Sequence, residues 1–102
     1  MEFSGFDWDK GNREKCQKHG VSIHEIESLF FGTVMIGPDP AHSEREERFI
    51  GFGTTGQGRK LFVVFTLRQK DGETFLRPIS ARYMHKKEVA HYEKETAPHA
   101  KK

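Results

Sequence analysis

The side chains able to do chemistry are mainly arginines, with a few histidines and glutamates beside them. Glu47 and Arg48 are adjacent, and Arg59 follows a Gly56-Gln57-Gly58 turn. Arg68 closes the run KLFVVFTLR, Arg77 and Arg82 bracket Pro78-Ile79-Ser80-Ala81, and Lys18-His19 precedes Gly20. This set suits the binding of phosphate. A guanidinium is planar, stays charged and grips two anionic oxygens at once. Imidazole and carboxylate can add proton transfer. His19, at the end of a predicted helix, sits where the helix dipole favours a protonated ring, so it can serve as a general acid, hold a phosphate or simply cap the helix.

Other chemistries find less support. Six histidines are present, but His85 and His91 are six residues apart, and no helix carries a metal-binding pair at the usual spacing. No metal or cofactor is therefore expected. Cys16 lies mid-helix and reads as a small packed residue rather than a nucleophile. Ser43 and Ser80 have no nucleophile-elbow context. Gly51-x-Gly53-x-x-Gly56 precedes a strand rather than a helix, so it is no dinucleotide fingerprint.

These residues need elements to position them. Phe3, Phe6 and Trp8 suggest a short opening strand. Asp9 caps a predicted helix over residues 10–19, closed by Gly20, with an oddly polar face of Asn12, Cys16 and His19. Ser22-Ile23-His24-Glu25 is a capping box, and Val21 can staple onto Ile26. Ile23, Ile26, Leu29 and Phe30 make the apolar stripe of a second helix ending at Gly32.

Beyond Gly32 the pattern favours strands over residues 33–36, 46–54, 60–68 and 73–79. The third is apolar on both faces and hence central, and Asp71-Gly72 makes a hairpin. Pro78 marks an edge or a strand end. Ser80 caps a last helix over residues 81–95. The order implies an α+β fold: an antiparallel meander sheet covered on one side by two N-terminal helices and one C-terminal helix.

Length and charge narrow the function. At 102 residues the chain is one domain, here residues 1–95 with a flexible tail over 96–102. Mean hydropathy is low at −0.76, yet aromatic residues make up 12%, nine of them Phe, which argues for a folded core. Residues 1–51 carry six Lys/Arg against ten Asp/Glu, and residues 52–102 carry eleven against five. The basic second half implies an anionic partner. A single cysteine allows no internal disulfide. No apolar run reads as a signal or a membrane span, so a cytoplasmic protein with no membrane partner is expected.

Five segments carry a family resemblance. They are Phe6-Asp7-Trp8-Asp9; Lys18-His19-Gly20-Val21-Ser22; His42-Ser43 followed by Glu47-Arg48-Phe49-Ile50-Gly51; Gly58-Arg59 leading into Val63-Val64-Phe65-Thr66-Leu67-Arg68; and Arg77-Pro78-Ile79-Ser80-Ala81-Arg82. In this order and spacing, over residues 3–93, the chain resembles the BrnT toxins of type II toxin–antitoxin pairs. It departs from them at Pro78, where members more often carry an aliphatic residue, and at Gly11, often alanine.

The resemblance implies a small RelE-like domain that cleaves RNA without a metal and arrests growth. It also implies a cognate BrnA-type ribbon-helix-helix antitoxin, through which alone the complex meets DNA. Such cleavage needs a base for the ribose 2′-OH, an acid for the leaving 5′-oxygen and cations for the phosphorane.

The expected catalytic set is Glu47, Arg68, Arg82 and His19. The expected phosphate-binding set is Lys18, Arg48, Arg59 and Arg77, with His42 as a loop residue or substrate contact. Each has a plainer reading: Glu47 as a cross-strand salt-bridge partner, Arg68 as a strand-end charge, and Arg82 as a first-turn helix charge placed against the macrodipole. A non-catalytic RNA- or protein-binding module of the same fold is the alternative function.

Overall fold

The computed structural model describes residues 2–42 and 45–96. The side chain of His42, Ser43 and nearly all of the expected tail lie outside the described residues. The elements run β1 (Gly5–Phe6), α1 (Lys10–Cys16), α2 (Ile23–Phe31), β2 (Val34–Pro38), β3 (Phe49–Thr54), β4 (Lys60–Lys70), β5 (Glu73–Tyr83) and α3 (Lys86–Thr96), with a short 3-10 turn at Pro40–His42. The α+β class and the β2–β5 antiparallel meander are as expected. The sheet order is β1-β5-β4-β3-β2. One correction concerns β1, which pairs parallel with β5 at Gly5 opposite Phe75 and Phe6 opposite Leu76, so the sheet is mixed.

Strand pairing sorts the side chains onto two faces. Leu61, Val63 and Phe65 of β4 share one face with Gly51 and Gly53 of β3 and with Leu76, Pro78 and Ala81 of β5. This face takes α2. Ile26 and Leu29 are fully buried, and the Phe30 ring meets Phe65 edge-on at 5.1 Å. The helix approaches closely because β3 carries glycine beneath it. A Cβ on Gly51 would stand 2.9 Å from the Phe30 ring, and one on Gly53 would stand 2.9 Å from the Thr33 carbonyl. The Ser22–Glu25 capping box forms as expected, and the Tyr83 hydroxyl donates to Glu25 Oε1 at 2.6 Å, which satisfies that buried carboxylate.

Helix α1 ends at Cys16 rather than at the expected residue 19, which leaves His19 exposed in the following turn, and the two polar-face residues it keeps, Asn12 and Cys16, are its buried ones. Asn12 closes a capping box with Asp9, and its Nδ2 donates to the carbonyls of Asp7 at 3.0 Å and Pro78 at 2.8 Å. One side chain thus ties the helix start to β5. Cys16 is fully buried, and desolvation pushes its thiol up to about 11, in keeping with a packing role.

Two expected boundaries fail at β5. The strand runs on through Pro78 and Ser80 to Tyr83, and the last helix starts only at Lys86. Pro78 is tolerated because the β4–β5 register shifts beside it, where Val64 faces Ser80 and Phe65 faces Pro78. Ser80 is therefore a strand residue and caps nothing. The start of the helix is held instead by Glu88 in its first turn, whose carboxylate accepts the His85 backbone N–H at 2.7 Å.

The third helix also breaks the expectation of helices on one side. It contacts Arg82, Phe52 and Lys60, all on the face opposite α2, and none of its residues is buried.

Candidate functional site

The face opposite α2 carries Phe62, Val64, Thr66 and Arg68 of β4, Ser80 and Arg82 of β5, and Ile50 and Phe52 of β3. Between its ends runs a groove of about 410 Å³ lined by His19, Asp39, Ile50, Phe62, Val64, Ser80, Ala81 and Arg82. His19 reaches it from the turn that follows α1. Two of the four expected catalytic residues, His19 and Arg82, therefore share one concave surface.

Arg82 is fixed from two sides. Its guanidinium lies 4.8 Å over the Phe62 ring, and both terminal nitrogens donate to the Glu88 carboxylate at 2.9 Å. Arg82 and the His85 N–H together hold the Glu88 carboxyl down at about 2, and the same carboxylate raises the Arg82 guanidinium further. The expected placing of Arg82 in the first turn of a helix is corrected: it is a strand residue at the groove, and its fork is held by Glu88.

Arg68 and Arg48 stand elsewhere. Six residues of strand separate Phe62, the partner of Arg82, from Arg68, which is about 20 Å at the usual rise. There Glu46 takes both guanidinium groups, at 3.4 Å from Arg48 and 3.2 Å from Arg68. Glu47 and Arg48 precede β3 rather than opening it. The Glu47 backbone carbonyl accepts from Thr66 Oγ1 at 2.7 Å, which draws this loop over the sheet, while the Glu47 side chain is exposed. Arg68, paired with Glu46, thus stands on the same side of the sheet as Arg82 but well away from it, and among the described residues no contact joins the Glu47 side chain to either group.

The remaining expected residues divide. Lys18 is exposed beside His19. Arg59 packs its guanidinium 3.9 Å above the Tyr83 ring. Arg77 is largely buried and pairs with Asp9 at 2.9 Å and Asp7 at 3.7 Å. The Asn12 backbone N–H, followed by Arg77, lowers the Asp9 carboxyl. Arg77 clamps the N-terminal segment to β5, and these partners engage both of its terminal nitrogens.

Sequence reasoning missed Glu88, Glu46 and Asp39. Glu88 had a readable signal, a glutamate three residues into a helix, but that signal points to it only once the helix start is placed correctly. Glu46 and Asp39 stand in loop and turn segments where no periodicity assigns a face.

The fold and this surface define a small α+β domain with one packed sheet face and one open, arginine-bearing face suited to an anionic ligand. Residues 8–88 match the model of a family described as the ribonuclease toxin, BrnT, of type II toxin–antitoxin systems. The chain belongs to that family, which makes it a ribonuclease toxin and implies an RNA substrate and an antitoxin partner. A search of curated proteins gives no match. Among the described residues, no helix is long and apolar enough to cross a membrane.

Proposed function

We propose that this toxin is a metal-independent endoribonuclease of RelE-like fold that cuts single-stranded RNA in the His19–Arg82 groove. The carrying observation is that an imidazole and a guanidinium line one groove on the open sheet face. In this reading the ribose 2′-oxygen attacks the adjacent phosphorus as its proton leaves to a base. The bond to the 5′-oxygen breaks, and that oxygen receives a proton. The products are a 2′,3′-cyclic phosphate and a 5′-hydroxyl. Arg82 grips the non-bridging oxygens, whose charge grows in the phosphorane, and His19 protonates the leaving oxygen. Arg68, Arg48 and Lys18 steer the flanking strand, and Glu47 can accept a hydrogen bond from its bases or ribose.

A BrnA-type ribbon-helix-helix antitoxin neutralises the toxin by covering this face, and DNA is met only through that partner. A complex whose groove still admits RNA would contradict this arrangement. One observation favours a non-catalytic alternative: Glu88 already fills the Arg82 fork.

The assay that separates the two uses purified protein, a defined RNA and EDTA. Cleavage with cyclic-phosphate ends is expected. Arg82→Ala should lower it by roughly 10²–10³-fold, as for other lost transition-state donors. Intact RNA from a folded protein would sink the catalytic reading.

A further inference from the structure

Beside the His19–Arg82 groove lies a second cleft of about 410 Å³, between α3 and the sheet. Met35, Phe52, Phe62, Met84, His91 and Tyr92 line most of it. We propose that this cleft is a nucleobase subsite, which receives one unstacked base of the RNA whose phosphate sits on Arg82. The proposal rests on the ribonuclease reading of the groove and deepens it.

Three observations carry it. First, the clefts adjoin, because Phe62 lines both and Arg82 lies 4.8 Å over its ring. A phosphate on the guanidinium therefore places an adjoining base within reach of the aromatic wall.

Second, the wall has the right chemistry. Phe52 and Phe62 stand 5.7 Å apart, and Tyr92 meets Phe52 edge-on at 6.3 Å. All three rings are only partly buried. Aromatic faces beside arginines on an open sheet are how proteins stack unpaired bases. At the rim, His91, Lys87, Glu88 and Glu95 offer donors and acceptors to a base edge.

Third, α3 does not fill the space it covers. The helix buries none of its residues; it sets one ring, Tyr92, edge-on to Phe52 and is otherwise held by charge pairs, Arg82–Glu88 and Lys60–Glu93 at 3.4 Å. A helix meant only to shield Phe52 and Phe62 would bring apolar side chains down onto them.

The test compares two strands of equal length on the full-length protein by fluorescence anisotropy. One is a 2′-O-methyl octaribonucleotide, which cannot be cut because its nucleophile is blocked. The other is its abasic counterpart. The abasic strand should bind roughly tenfold or more weakly, given the usual worth of stacking a base. The gap should shrink to within about threefold in Phe52→Leu and in Tyr92→Ala, two changes chosen so that at least one leaves the fold intact by circular dichroism. Arg82→Ala should weaken both strands alike.

Equal binding of the two strands by the wild type overturns the subsite while leaving the groove's phosphate role standing. An undiminished gap in a folded variant overturns it as well. No binding of either strand overturns the RNA reading of the groove, and the subsite with it.

Discussion

Phe65 and Phe62 stand three residues apart on β4 and face opposite ways. Phe65 is fully buried, wedged between Phe30 at 5.1 Å and Phe49 at 5.5 Å, with Gly51 diagonally beside it so that α2 can press in. Phe62 is half-exposed, with a guanidinium above it and an open cleft on either side. The same strand thus builds a core on one face and a ligand surface on the other. The helices follow suit: α2 is bound by apolar burial, which is strong and hard to undo, whereas α3 is bound by partly exposed ion pairs and one edge-on ring contact, which are weaker. The groove proposed for RNA thus lies on the side of the sheet away from the packed core.

The largest effect should come from breaking the packed face. Leu29 is fully buried beneath Gly53. Leu29→Ala should cost about 2–5 kcal/mol, the range for truncating a buried leucine, read as a shift in the denaturant midpoint. Tyr92→Ala on the other face should cost about 1 kcal/mol or less by the same measurement. Comparable losses would show that α3 is as much a part of the core as α2.

A smaller but still clear effect is expected at Asn12. Removing its amide leaves the Asp7 and Pro78 carbonyls without this donor and opens the capping box of α1. Asn12→Ala should destabilise by about 1–3 kcal/mol, since an orphaned buried polar group costs its desolvation. Thermal melts would check this, and Asn12→Asp should recover only the cap, because a carboxylate cannot donate to the two carbonyls. Full recovery by aspartate would make the tie to β5 irrelevant.

The packed face was largely legible in the sequence, because its signals are local and repeated. Ser22 and Glu25 specify the start of α2, and Ile26, Leu29 and Phe30 recur at helical spacing. Asp71-Gly72 supplies positive-φ residues at the hairpin, at 52° and 78°. The open face was less so. Arg82 and His19 were picked out by residue type, but that they share a groove depends on a chain reversal that no local pattern encodes. The misplaced helix start shows the limit. Ser80 is a better intrinsic N-cap than His85, yet β5 keeps Ser80 through its pairing with Val64. Tertiary pairing outweighed the local preference. The parallel strand β1, only two residues long, left a trace only as an aromatic cluster.

The finest test of the comparison is Glu88. Its carboxylate and an RNA phosphate would compete for one guanidinium, so the open face should bind more tightly when that carboxylate is neutralised. Glu88→Gln should improve RNA affinity by roughly two- to fivefold, a small effect because an exposed ion pair is worth little. The sign of the pH dependence follows from the carboxyl's low value. Held at about 2 in the folded chain against an ordinary 4.5, it stays ionised at every pH above about 4. The Arg82–Glu88 pair is then fully present above the ordinary value and lost only as the pH falls through about 2. The affinity ratio between Glu88→Gln and wild type should therefore be flat from pH 5 to 8, measured by anisotropy on an uncleavable strand. A ratio below one would mean that Glu88 orients Arg82 for RNA rather than competing with it. In that case the fork on the open face is built as firmly as the core behind it.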